Sequence, residues 1–150
     1  MQAALYRASN DTYWLVAPFK LRDPGASIVA DGVEEIDGVS YSRLHLTFAG
    51  DVGQSPGDQF WLYTNPETGM LDRWAFFLEG FEGEPTVAQA SEWLWQDWKE
   101  FDQVRIAMSR VLTRSPQFPQ FTSGRIDFPV LTFLDEVDEA VFTDPATPLP

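Results

Sequence analysis

Between Met70 and Glu79 an extended chain would carry Trp74, Phe76 and Leu78 on one side and Leu71, Ala75 and Phe77 on the other. Successive strand side chains point to opposite faces. A sheet with one wet face needs apolar residues on only one of them. This strand therefore sits inside a sheet that is covered on both faces, and the rest of the chain must supply both covers.

The flanking segments read as further strands of the same sheet. Glu34-Glu35-Ile36-Asp37-Gly38-Val39 holds the Asp-Gly signal of a two-residue hairpin. From Tyr41 to Phe48, one face takes Ser42, Leu44, Leu46 and Phe48 and the other takes Tyr41, Arg43, His45 and Thr47, a half-buried pattern with the second face wet. Gln59 to Thr64 runs into Asn65-Pro66-Glu67-Thr68-Gly69, where Pro66 presets a type I turn and Gly69 suits its left-handed exit. Ser91 to Phe101 has a helical stripe (Val87, Ala90, Leu94, Trp98, Phe101), but its aromatic content assigns it to a strand. Val104 to Thr113 alternates, with Val104, Ile106, Met108 and Leu112 together, and Gln120 to Leu134 reads as a long strand broken at Gly124 and Pro129. At the front, Asn10 or Asp11 can cap a short helix through Val16 that Pro18 interrupts and Asp23-Pro24-Gly25 ends. Asp135 to Phe142 suits one helical turn.

Composition removes most familiar chemistry. Among 150 residues there is no Cys and one His, so no disulfide, thiol nucleophile, thiolate site or two-histidine metal site is available. The 23 acidic against 10 basic residues leave a charge of −13, which repels nucleic acid and anionic membrane surfaces. Such acidity with two lysines fits either solvation in high salt or an ordinary acidic protein. His45 lies on the wet face with no nucleophile elbow in the chain, and Asp97 and Glu100, three apart on a strand, point to opposite faces. No phosphate or calcium loop occurs. The chain reads as non-catalytic and without a cofactor.

The informative residues are aromatic: Trp61, Tyr63, Trp74, Phe76, Trp93, Trp95 and Trp98. If Pro66 to Gly69 form a four-residue loop, Trp61 faces Trp74, and Tyr63 and Phe76 share their side; a slip of one residue would break this grouping. These rings either fill an ordinary core or line a concave apolar ligand site.

Three stretches carry a resemblance. They are Tyr-Trp-Leu-Val-Ala-Pro-Phe-Lys-Leu-Arg-Asp-Pro from Tyr13 to Pro24, Gly-Asp-Gln-Phe-Trp-Leu-Tyr-Thr-Asn-Pro-Glu-Thr-Gly-Met-Leu-Asp from Gly57 to Asp72, and Trp-Gln-Asp-Trp-Lys-Glu-Phe from Trp95 to Phe101. Together they resemble the later part, about the C-terminal two-thirds, of an uncharacterised bacterial family of exported proteins, itself similar to the LolA/LolB lipoprotein carriers. The resemblance implies a curved antiparallel half-barrel, an apolar concave cavity, a lipid or acyl-chain ligand and a periplasmic or outer-membrane setting. It also implies that N-terminal strands of that fold are missing, and it transfers no acyl-binding residue.

The expectation is thus one α+β, mainly β domain over residues 1–142, with about seven strands, a short N-terminal helix and a Pro-rich tail over 143–150. Its expected function is non-catalytic binding of an apolar or lipid-like ligand by the seven aromatics named above. The alternative is a structural or interaction module without a small ligand, dimerising through an open sheet edge; an enzyme ranks third.

Overall fold

The computed structural model describes residues 2–50, 55–144 and 146. Seven strands form one antiparallel sheet in the order in which they occur along the chain: β1 (Ala26–Ile36), β2 (Val39–Phe48), β3 (Gln59–Thr64), β4 (Leu71–Phe77), β5 (Ser91–Phe101), β6 (Val104–Arg114) and β7 (Arg125–Asp127). The sheet is open, with β1 and β7 at its edges. An N-terminal helix, α1 (Gln2–Lys20), packs on one face, and a single turn, α2 (Ala140–Thr143), lies near the C-terminus.

Turn chemistry accounts for this meander. Ile36 pairs with Val39 across Asp37 and Gly38, which stand at φ 53° and 80°, as the hairpin signal requires. Phe101 and Val104 are joined in the same manner through Asp102 and Gln103, both at positive φ. In the Asn65–Gly69 turn the Asn65 side chain accepts the Glu67 N–H, and Gly69 closes it at φ 69°.

The two covers differ. On one face Leu46, Phe60, Leu62, Leu71, Trp74, Phe76, Trp95 and Ala107 are buried together with Ala17 of α1, and Tyr13 and Trp14 pack on them. On the other, Tyr41, Trp61, Tyr63, Ala75, Phe77 and Ala90 are covered by Ile36 and Val39 of the first hairpin and by Val87 of a 3₁₀ turn at Val87–Gln89. β4 is buried on both sides, in keeping with its sequence.

Several expectations are corrected. The helix starts at Gln2, upstream of Asn10 and Asp11, and its break lies at Val16 (φ −127°, ψ 22°), ahead of Pro18, whose ring cannot follow a regular helical turn. The long strand over Gln120–Leu134 shrinks to Arg125–Asp127, since Gly124 and Pro129 bound the stretch that can pair with β6. Leu71 joins the Trp74 side. Nor is the His45 face wet: Tyr41 is buried there, and the His45 ring stacks on Trp61 at 4.9 Å with Nε2 2.9 Å from Gln59 Oε1. All but Ala146 of the expected tail beyond Asp144 lies outside the described residues.

Candidate functional site

The expected aromatic grouping divides at one residue. Asn65 N donates to Met70 O, as the four-residue loop requires, but Thr64 then pairs with Leu71 and Tyr63 with Arg73, leaving Asp72 bulged out of the ladder. Asp72 is held there by Asn65 Nδ2 at 3.0 Å and the Tyr41 hydroxyl at 3.4 Å. The register slips by one, so Trp61 faces Ala75 and Leu62 faces Trp74. Trp61 and Tyr63 therefore belong to the face away from the helix, while Trp74, Phe76, Trp93, Trp95 and Trp98 gather beneath α1.

Beneath α1 the rings form a connected wall. Tyr13 stacks on Phe60 (6.0 Å) and meets Phe48 edge-on, and Trp14 meets Trp93 (4.8 Å) and Phe76 (6.0 Å) edge-on. Trp74 stacks on Trp95 at 5.8 Å. Residues three apart on a regular strand would diverge, but Asp97 at φ 56° breaks the alternation of β5, and the Trp95 and Trp98 rings stand 6.3 Å apart.

Between α1 and this wall lies a half-open cavity of about 740 Å³, a size suited to a small organic ligand. Its apolar sides are Tyr13, Trp14, Phe48, Phe60, Trp74, Phe76, Leu78 and Phe118. Ala8, Ser9, Asn10 and Thr12 of α1, Pro24, and a polar group of Lys20, Asp23, Ser55 and Asp58 complete the lining. Lys20 and Asp23 form an ion pair, and the hydrogen bond from Lys20 to Asp23 raises the lysine pKa. Burial pushes the Asp58 carboxyl up, although its Oδ1 accepts the Glu79 N–H at 2.7 Å. Burial also raises the Tyr13 phenol. Tyr13, Trp14, Phe48, Phe60 and Phe118 were not among the residues expected from sequence; the spacing of Tyr13, Trp14 and Ala17 is the helical signal that marks the first two.

The opposite face is polar at its heart. Arg73, 9% exposed, binds Glu92 (7% exposed) at 2.9 Å and Asp37 at 3.2 Å, and Thr113 Oγ1 donates to Glu92 at 2.8 Å. Burial alone would lower the Arg73 pKa, but the hydrogen bond and charge of Glu92 leave it raised. Arg43 pairs with Asp31 (2.7 Å) and Glu34 (2.5 Å), and the Tyr63 hydroxyl donates to Glu34 at 3.2 Å. Each of these charges has a partner, so this face reads as framework. Among the described residues, no group of three or more acidic or histidine side chains could hold a metal ion.

Burial first, then the charges of Glu34 and Glu92, raise the Tyr63 phenol to about 12. In the unfolded chain it ionises near its ordinary value, about 10. From pH 10 to 12 the folded state therefore holds the proton that the unfolded state loses, and stability falls as pH rises. Tyr63→Phe lacks this group. At pH 8 the variant is expected to be about 1 kcal/mol less stable, through the lost hydrogen bond. Relative to wild type it should gain about 2 kcal/mol by pH 12. Urea titrations at both pH values check this; a constant difference would refute it.

Residues 1–114 match the family described as "Family of unknown function (DUF6503)". The chain belongs to that family. None of the curated proteins matches it. Among solved structures, a DUF1329 family protein from Desulfovibrio piger ATCC 29098 is similar over 79% of this chain, with 15% identity and a TM-score of 0.54. The chain spans 45% of that protein's length, and the likeness is one of fold.

Proposed function

We propose that this domain of the DUF6503 family binds an apolar, lipid-like ligand without transforming it, in the space between α1 and the aromatic sheet face. One observation carries the reading: a half-open cavity of about 740 Å³ walled by aromatic rings, with a few polar side chains in its lining. Burying apolar ligand surface there would stabilise a complex by roughly 25 cal/mol per Å² before ordering costs. An acyl chain would lie against Phe60, Trp74 and Phe76 with its polar end toward solvent or a buried partner. The resemblance to the LolA/LolB carriers suits this reading, since it places a receptacle between a helix and an antiparallel sheet. On it, the ligand would be carried in the periplasm or at the outer membrane.

Trp74 is unsuitable for a charged substitution, being 3% exposed within the core. Ala8 and Asn10 are exposed on α1 and line the cavity, so phenylalanine there would occlude it while sparing the core. Decanol and decanoate are expected to shift tryptophan emission saturably, and Ala8→Phe with Asn10→Phe should weaken binding at least tenfold with unchanged thermal stability. If neither amphiphile binds, the reading fails.

A second reading, an interaction module that dimerises by its sheet edge, is favoured by β1. Val29 and Val33 are 55% and 69% exposed there, and Ala26 to Ala30 form a regular, uncharged edge ahead of the bulge at Gly32. The charge of −13 opposes self-association at low salt. A dimer that tightens from 50 mM to 500 mM salt in sedimentation is the expected result on this reading; a monomer at both would exclude it.

A further inference from the structure

Beside the cavity wall the structure collects hydrogen-bond donors that have nothing to bind. Arg110 is 0% exposed. Its Nη1 donates to the Ala107 and Ser109 carbonyls at 2.5 and 3.1 Å, but Nε and Nη2 are buried without a partner. The indole N–H groups of Trp95 and Trp98 are buried and unpartnered as well. These side chains touch in series: the Arg110 guanidinium lies 3.8 Å from the Trp95 ring centroid, and Trp95 lies 6.3 Å from Trp98. Phe128 covers the guanidinium from another direction at 5.4 Å.

The chemistry of this group is one-sided. Guanidinium and indole nitrogens donate and do not accept, so the cluster cannot satisfy itself. Buried polar groups are ordinarily paired, and a buried charge without a counter-charge is costly. The nine other lysines and arginines are ion-paired or exposed; Arg73 and Arg43, for example, are each matched to two carboxylates. Arg110 has no carboxylate within ion-pair distance among the described residues. Burial alone lowers its pKa, to about 10, so it stays charged at neutral pH.

Position supplies the remaining link. Trp74 lines the cavity, Trp95 stacks on Trp74, and Arg110 stacks on Trp95. Two stacked rings, Trp74 and Trp95, thus stand between the cavity and the unpaired charge. The Trp95 indole is held by burial and stacking and makes no hydrogen bond, so turning it aside breaks none. We propose that Arg110, with the indole N–H groups of Trp95 and Trp98, is the receptor for the anionic group, carboxylate or phosphate, of an amphiphile whose chain fills the cavity. The inference rests on the apolar-ligand reading and adds the sign of the ligand's charge. A guanidinium is suited to this task because its fork donates to two oxygens at once. The low dielectric of the site lets one cation act against the −13 of the whole chain.

Three probes with one ten-carbon chain separate the terms: decanol, decanoate and decyl phosphate, titrated at pH 7.5 by calorimetry. Wild type is expected to bind at least one of the anions tenfold or more tightly than decanol, and the tighter anion names the source. Arg110→Met should bring that ratio to about one while decanol affinity is unchanged, and Arg110→Lys should retain part of it. A second readout is the carboxyl resonance of 1-13C-labelled decanoate, whose apparent pKa should be depressed when bound to wild type and not to Arg110→Met. Equal affinity of wild type for all three probes, or an anion preference that survives Arg110→Met, would overturn the anion site and leave the apolar cavity standing. Failure of all three to bind would overturn both.

Discussion

Arg73→Met is expected to cost the fold about 3 kcal/mol. The guanidinium and the Glu92 carboxylate are 9% and 7% exposed and 2.9 Å apart, on the sheet face away from α1. Removing one member of a buried pair leaves the other charge with its full desolvation penalty, typically 3–5 kcal/mol. The lower end applies because Arg114 stands 3.8 Å from Glu92 and the Thr113 hydroxyl still donates to it. Asp37 is 86% exposed on its side chain, so losing that contact matters little. Arg73→Met with Glu92→Met should recover most of the loss, since two apolar side chains can occupy the volume of a buried pair. Urea unfolding of the two single variants and the double variant gives the coupling. A loss below about 1 kcal/mol for Arg73→Met would mean that water reaches the pair.

The elements that were legible in the sequence are those fixed by local chemistry. Asp37-Gly38 specifies its hairpin because left-handed residues are needed at both positions. The apolar faces of Leu71–Phe77 specify a covered strand because nothing else can dispose of them. Register was not legible, because the two side chains that hold Asp72 in its bulge, Asn65 and Tyr41, stand 7 and 31 positions away and meet it only once the hairpin and the sheet have formed. That single residue moves Trp61 and Tyr63 out of the aromatic group beneath α1. The union of Trp95 with Trp98 was hidden for a related reason: it needs a positive φ at Asp97, and no glycine announces it. Arg110 is a different case. It occupies an even position in the series Val104, Ile106, Met108, Leu112, so a charge amid apolar alternation was visible, but only burial without a partner gives it meaning.

Arg110→Met is expected to have the opposite sign, stabilising the unliganded fold by about 2 kcal/mol. Burial lowers the guanidinium pKa to about 10, well below the ordinary arginine value, which corresponds to about 3 kcal/mol of penalty on the charged form. Against it stand the two Nη1 hydrogen bonds to the Ala107 and Ser109 carbonyls and the stacking on Trp95, together worth about 1 kcal/mol net. Methionine keeps the length and the contact with Trp95 and brings no charge. The pH dependence has a definite sign. Below pH 10 Arg110 is protonated in both states, and the penalty is present in full. Above about pH 10 the folded state sheds the proton while the unfolded state keeps it, so the wild type gains stability and the advantage of the variant closes. Guanidinium chloride unfolding at pH 7 and pH 9 should therefore give the same gain, and a gain that shrinks above pH 10. If the variant is instead less stable by more than about 1 kcal/mol, Arg110 is a clamp for two β6 carbonyls and the fold depends on it. A gain means that the fold retains a buried charge at a cost to its own stability, which is the cost expected of a group kept for the anionic ligand proposed above.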